Sequence, residues 1–211
     1  MAGALGAGAA EVSLRSPPPL ARPLTVERSA EGIELRDGET LVAEARPAEP
    51  ELELPEPVGV EQARKVSREG FQRWSTSHPF RTCVVCGPDR DSGDGFGVFP
   101  GALEGRDGRF AAVWEPDASL ADGEAVCAKA VWAALDCPTS APVVNFGQGP
   151  PCVLARLTAR VDGSVEPQAP HVVVSWPLGR DGRKRHSAAA LFSPDGRPVA
   201  WARALWIELK A

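Results

Sequence analysis

The sequence has no tyrosine, a single methionine and no long apolar run. None of its hydrophobic stretches approaches the roughly 20 residues that a helix needs to span a bilayer, so no membrane segment is expected. A basic excess is missing too. The formal net charge is -5, which argues against broad nucleic-acid binding through a positive face. No Gly-x-Ser-x-Gly elbow occurs, so a serine hydrolase built on that turn is not expected. Ser187 follows His186, but neighbours on a strand point to opposite faces. Gly93-Asp-Gly-Phe-Gly97 is no dinucleotide fingerprint, because no helical pattern follows it. The first ten residues lack the basic start and apolar core of a secretory signal, and the five cysteines are an odd number. A cytoplasmic protein with reduced thiols is the expectation.

What is present suits one medium domain, or one domain with a substantial extension. The chain has 211 residues, 43% of them hydrophobic, enough for a core that needs no metal or disulfide to fold. Glycine and proline, 21 of each, predict short turns rather than long helices. Alanine, glycine and proline are abundant and arginine far outnumbers lysine, as in proteins from GC-rich bacterial genomes.

Residues 1–23 end in Ser16-Pro-Pro-Pro-Leu-Ala-Arg-Pro23 and read as a disordered or extended tail. Alternating runs then begin at Leu24, Gly32 and Thr40, with the hairpin signal Asp37-Gly38 between the last two. Residues 47–57, rich in proline and glutamate, read as a linker, and Val60 to Trp74 as an amphipathic helix. This β/α extension over 24–77 precedes a more regular region over 78–211. There, short strands are predicted at Phe96–Phe99 and Arg109–Glu115. A helix follows over 122–137, and then strands at Cys152–Val161, His171–Pro177, Lys184–Phe192 and Pro198–Leu209. Turn signals at Gly179-Arg-Asp-Gly182 and Ser193-Pro-Asp-Gly196 separate the last three. No internal repeat of solenoid period is found.

The helix carries the most information. Almost every residue from Ala125 to Leu135 is apolar or small, so it is expected to be buried on most sides. Pro138 disfavours helical geometry at the residue before it. Asp136 therefore falls in the last turn, where the partial negative charge of the helix end opposes a carboxylate. Two readings are open: an acid placed for chemistry, or one that is solvated or caps the Thr139-Ser140 turn. Strands long enough for one curved antiparallel sheet, and a helix apolar enough to be wrapped by it, describe an α+β hotdog fold with a central apolar helix.

The combination His78-Pro-Phe, Cys83-x-x-Cys86-Gly87-Pro and Gly93-Asp-Gly95, followed by Trp132-Ala-Ala-Leu-Asp136-Cys137-Pro138, resembles hotdog-fold thioesterase-like proteins. The likeness is to bacterial relatives of the phenylacetate-pathway thioesterases. It covers residues 78–209, and 24–74 read as a family-specific addition, a degenerate partial second hotdog. The resemblance implies hydrolysis of an acyl-CoA or acyl-pantetheine thioester at a site between two hotdog units, and a homodimer. It also implies a carboxylate on the central helix as nucleophile or general base. Asp136 matches by residue type and helix, although it sits nearer the C-terminal end than the acid of many members. Only Gly123 stands where a Gly-Gly pair often opens the helix. The alternative is a non-catalytic hotdog protein that binds acyl-CoA or another apolar ligand. A dehydratase lacks its His-plus-Asp pairing.

Further candidates come from the residues themselves. Asn145 and Gln148 lie in a Gly/Pro-rich loop that could supply amide donors to a carbonyl oxygen or serve turn geometry alone. Arg180, Arg183, Lys184 and Arg185 surround one hairpin turn, which reads as a CoA phosphate contact or a solvated tip; Arg183 and Lys184 are taken as the contact pair. Trp132 could line an acyl pocket or pack the core. Cys83-Val-Val-Cys86-Gly87 resembles half of a zinc site. No second Cys-x-x-Cys follows, and Cys127, Cys137, Cys152 or His78 could complete a set only through tertiary proximity. Packed thiols, with no metal and no cofactor, are the expectation.

Overall fold

Alternating apolar and polar residues build most of the strands of this protein, whose computed structural model describes residues 1, 8–91, 93–106, 108–144 and 149–210. Four strands come first: β1 (Ala9–Leu14), β2 (Thr25–Arg28), β3 (Ile33–Asp37) and β4 (Thr40–Pro47). Helix α1 (Val60–Ser77) leads to β5 (Gly101–Ala102) and β6 (Phe110–Trp114). A small hairpin, β7 (Ala121–Asp122) and β8 (Ala125–Val126), opens helix α2 (Ala128–Asp136). A 3-10 turn over Cys137–Ser140 and the short α3 (Ala141–Val144) follow. The chain closes with β9 (Cys152–Val161), β10 (His171–Asp181), β11 (Lys184–Phe192) and β12 (Pro198–Glu208).

Ten strands form one sheet in the order β2-β3-β4-β1-β9-β12-β11-β10-β6-β5. Every pairing is antiparallel. The order contains a repeat. Outward from the β1–β9 junction, β1-β4-β3-β2 on one side mirrors β9-β12-β11-β10 on the other. Four consecutive strands thus repeat the connectivity of four later ones about an approximate two-fold axis. Only the second set has a helix of its own ahead of it among the described residues.

The middle of the sheet is covered on both faces, which explains why β10 and β11 read as nearly continuous apolar runs. On one face, Val173, Leu191 and Ala200 stand side by side in register, next to Ala189, Ala202 and Ala159. Against them pack Ala130, Val131, Ala134 and Leu135 of α2. On the other face, Val172, Val174, Ala190 and Phe192 meet Ala63 and Val66 of α1 together with Leu52, Leu54 and Val58. Leu135 is fully buried, and truncating such a side chain to alanine costs about 2–5 kcal/mol.

Several expectations are revised. The segment read as a tail contains β1, which pairs with both β4 and β9; its sequence AAEVSL does alternate. Residues 47–57 are not a free linker, since Pro50 is buried and Leu52 and Leu54 pack on the outer face. A long helix exists despite the glycine and proline content: α1 has 18 residues. It docks closely because Gly70 and Gly101 carry no Cβ. An added methyl would meet the Phe99 carbonyl oxygen at 2.6 Å in the first case and the Val66 carbonyl oxygen at 1.8 Å in the second. Phe96–Phe99 forms no strand, and Gly97 within it stands at φ +66°. The helix expected over 122–137 starts only at Ala128, because residues 121–126 turn through the β7–β8 hairpin. Gly38, at φ +56°, makes the β3–β4 turn in the left-handed region that glycine favours.

Candidate functional site

The buried and open faces of α2 are set by its helical period. Ala130, Val131, Ala134 and Leu135 enter the core. The opposite stripe, Ala128, Lys129, Trp132, Ala133 and Asp136, lines a cavity of about 320 Å³. Trp132 and Asp136 are four residues apart and so share one face of the helix. The far wall is made by Val12 and Leu14 of β1 with Leu154 and Leu157 of β9, and Met1 closes one side. The cavity thus lies at the junction of the two repeated strand sets. It is mostly apolar, with a lysine and a carboxylate as its charged groups. A wider cleft of about 690 Å³ follows the Val84–Phe99 loop, but glycines and the ion-paired Arg90 line much of it.

Asp136 does not cap the turn that follows it. Instead, the Thr139 hydroxyl donates to the Asp136 carbonyl at 2.6 Å and the Ser140 hydroxyl to the Cys137 carbonyl at 2.7 Å. The capping reading is therefore set aside. Pro138 ends α2 but not the helical path, since it occupies the first turn of the 3-10 segment. Two bonds anchor this end of α2 to the sheet. Trp206 Nε1 donates to Thr139 Oγ1 at 3.0 Å, and Ser187 Oγ donates to the Thr139 carbonyl at 2.7 Å. Burial raises the Asp136 pKa to about 7, and the neighbouring Cys83 adds to the rise.

Beside Asp136 lies a cluster that the sequence only hinted at. The sulfurs of Cys83, Cys86 and Cys137 all lie within 4.8 Å of one another. Cys83 Sγ is 3.5 Å from Cys137 Sγ and 3.6 Å from Cys86 Sγ. His78 Nε2 stands 3.1 Å from Cys86 Sγ, while its Nδ1 accepts the Phe80 N–H at 2.9 Å. Hydrogen bonds from Cys137 and then Cys86 hold the Cys83 thiol well below the usual thiol range, whereas Cys137 is pushed up. Trp74 at the end of α1 lies against the His78 ring, with centroids 4.6 Å apart.

The remaining predicted residues are less concentrated. Arg183 and Lys184 are exposed at the β10–β11 turn and do not line the cavity. They do lie at its end of the sheet. Arg183 donates to the Glu208 carbonyl, and Glu208 pairs with Cys152, two residues along β9 from the cavity residue Leu154. The neighbouring Arg180 and Arg185 are ion-paired to Glu208. Asn145 and Gln148 lie outside the described residues. Missed at first were Val12, Leu14, Lys129, Leu154 and Leu157. Alternation in β1 could have flagged the first two, but only the pairing of β1 with β9 brings them to α2.

Solved structures show which fold this is. A tesB protein from Mycobacterium avium subspecies paratuberculosis is similar over 96% of this chain and 78% of its own, with a TM-score of 0.64 and 11% identity. A thioesterase superfamily protein is 20% identical over 60% of this chain, with a TM-score of 0.52. That match spans 63% of the other protein, less than two thirds of its length. Zebrafish thioesterase superfamily member 2 is similar over 64% of this chain and 96% of its own, with a TM-score of 0.50 and 12% identity. The fold is the hotdog fold. In this hotdog the large antiparallel sheet carries few helices, and no described helix is long and apolar enough to cross a membrane. No protein-family model matches the chain, and neither does any curated protein.

Proposed function

We propose that this hotdog protein hydrolyses an acyl-CoA or acyl-pantetheine thioester, with Asp136 acting on water or directly on the thioester. The observation that carries the reading is a carboxylate aimed with Trp132 into an apolar cavity between two strand sets. A volume of about 320 Å³ is at the low end for small-molecule pockets and suits an acyl group rather than a whole coenzyme. In the base mechanism, Asp136 takes a proton from water as the oxygen attacks the thioester carbonyl carbon. The carbon–sulfur bond breaks, and the leaving thiolate recovers a proton, so that a carboxylic acid and a thiol are released. In the nucleophilic variant Asp136 attacks the thioester carbonyl carbon, and the thiolate leaves and takes up a proton. Water then cleaves the resulting acyl anhydride to the carboxylic acid, freeing Asp136. Asn145 and Gln148 are assigned as amide donors to the carbonyl oxygen, and Arg183 and Lys184 as contacts for the coenzyme phosphates.

A second reading, acyl-ligand binding without turnover, is favoured by one feature. The strand set β1–β4 has no counterpart of α2 among the described residues, so only one helix lines the cavity. The test is a panel of acyl-CoA chain lengths, with released coenzyme A followed by chromatography because the chain's own five free thiols would react with a thiol reagent. Release that depends on chain length supports hydrolysis. Quenching of tryptophan fluorescence that disappears in Trp132→Phe, with no release across the panel, would support binding alone. A homodimer, expected from the hotdog resemblance, would have to join through another surface than the β9 edge, because β1 already pairs there.

A further inference from the structure

We infer that Cys83, Cys86 and Cys137 form a three-thiolate site for a thiophilic divalent ion, zinc foremost, with His78 as a hydrogen-bond donor to it. The site adjoins Asp136 at one end of the acyl cavity but does not depend on the role given to that residue. Its first two ligands come from a tight knuckle and its third from the residue after α2, far along the chain. Convergence of separate elements on one point is what distinguishes a built site from two neighbouring thiols.

The geometry fits an ion. A tetrahedral zinc with Zn–S bonds of about 2.3 Å has sulfurs roughly 3.8 Å apart along each edge. Two of the three edges are 3.5 and 3.6 Å, the third lies within 4.8 Å, and none of the three cysteines is in a disulfide. Soft thiolates select zinc and similar ions over magnesium or calcium. The knuckle is preformed by backbone bonds. The Gly87 N–H donates to the Cys83 carbonyl at 2.8 Å, the Phe96 N–H to the Val84 carbonyl at 2.8 Å, and the Val98 N–H to the Val85 carbonyl at 2.9 Å. Gly87 has no alternative, since a Cβ there would meet the Cys83 nitrogen and oxygen at 2.5 Å each. Cys86 is 3% exposed, and Trp74, Phe110 and Ala141 pack around it.

His78 is excluded from the ligand set by its own hydrogen bonds. A neutral imidazole has one N–H and one lone pair. Its Nδ1 accepts the Phe80 N–H, so the ring proton belongs on Nε2 and points at Cys86 Sγ. That is the outer-shell role, a donor that tempers thiolate charge. Three protein sulfurs leave one position of a tetrahedral ion to water or another small ligand. On binding, any proton that a sulfur still carries is released as that sulfur takes the metal. The site would join the end of α1, the knuckle loop and the end of α2.

The experiment measures zinc by mass spectrometry in the full chain purified under reducing conditions, before and after zinc loading and desalting. About one zinc per chain is expected in the wild type and in the control Cys152→Ser, and less than about a tenth of that in Cys83→Ser, Cys86→Ser and Cys137→Ser. His78→Gln should keep the stoichiometry while weakening zinc about 10–100-fold in a chelator competition. Cobalt loading of the wild type should give strong thiolate-to-metal charge-transfer absorption, a readout that stands if the serine variants fail to fold. A wild type that holds no zinc after loading and gives no cobalt band overturns the site. So does a Cys83–Cys86 disulfide in zinc-loaded protein. Complete loss of metal in a folded His78→Gln would overturn the three-thiolate assignment in favour of a histidine ligand.

Discussion

Replacing Thr139 with valine tests how the carboxylate end of α2 is held. The substitution keeps the shape of the side chain and removes only the hydroxyl. In the structure that hydroxyl has two partners, and the residue is fully buried. It accepts from Trp206 Nε1 at 3.0 Å and donates to the Asp136 carbonyl at 2.6 Å. Valine therefore strands the indole N–H of Trp206, a residue that is 9% exposed, and removes one bond from a carbonyl. A stranded buried donor costs about 1–3 kcal/mol and the second bond about 1 kcal/mol, so a loss of about 2–4 kcal/mol is expected. For a chain of this length that corresponds to a fall in Tm on the order of 10 °C. Urea unfolding followed by circular dichroism gives the free energy. Adding Trp206→Phe, which removes the stranded donor, should cost less in the Thr139→Val background than in the wild type, by about 1 kcal/mol or more. A Thr139→Val protein within about 0.5 kcal/mol of the wild type, additive with Trp206→Phe, would refute the anchoring argument.

Other outcomes follow from the packing. Gly101→Ala should destabilise by several kcal/mol or detach α1, because its methyl has nowhere to go against the Val66 carbonyl; a wild-type urea midpoint would contradict the close approach. Burial lowers the pKa of His171, which is 1% exposed, despite its Nδ1 bond to the Ala169 carbonyl. The unfolded chain then binds the extra proton first, so this histidine's contribution falls as pH drops below about 6.5, at no more than about 1.4 kcal/mol per pH unit. His171→Gln should flatten that part of the stability–pH curve, and an unchanged slope would remove His171 from the account. With β1 filling the β9 edge, light scattering on the eluted chain should give the mass of one copy, whereas a dimer mass would mean that another surface assembles it.

Much of this architecture was legible because its signals are local. Strands β9 and β11 begin and end where their apolar content and the turn residues place them, and Gly38 and Gly182 mark hairpins by the left-handed backbone they supply. The apolar run around Leu135 marks a helix for the same reason, although only its Ala130, Val131, Ala134 and Leu135 are buried and not most of its sides. Less legible was anything that depends on partners distant in sequence. The short β1 looked like part of a tail, since its place is fixed by pairing with β9 some 145 residues later, a contact no local pattern encodes. The strand repeat was hidden because similarity of connectivity does not require similarity of side chains. Cys137 was visible only as one of several unassigned thiols until α2 brought it to the knuckle. The odd place of a carboxylate at the end of an apolar helix is legible in the sequence, while the Thr139 and Ser187 bonds that position this helix end are not.

The proposed cleavage of a thioester by a carboxylate in an apolar hotdog cavity can be tested at a single residue. Its most direct test compares coenzyme A release by wild-type protein and by Asp136→Asn, on the acyl-CoA that the chain-length panel selects. Asparagine keeps the size and removes the base, so the rate should fall about 10²–10⁴-fold while the melting curve and zinc content stay within error of the wild type. Asp136→Asn protein that turns over at the wild-type rate would contradict the account.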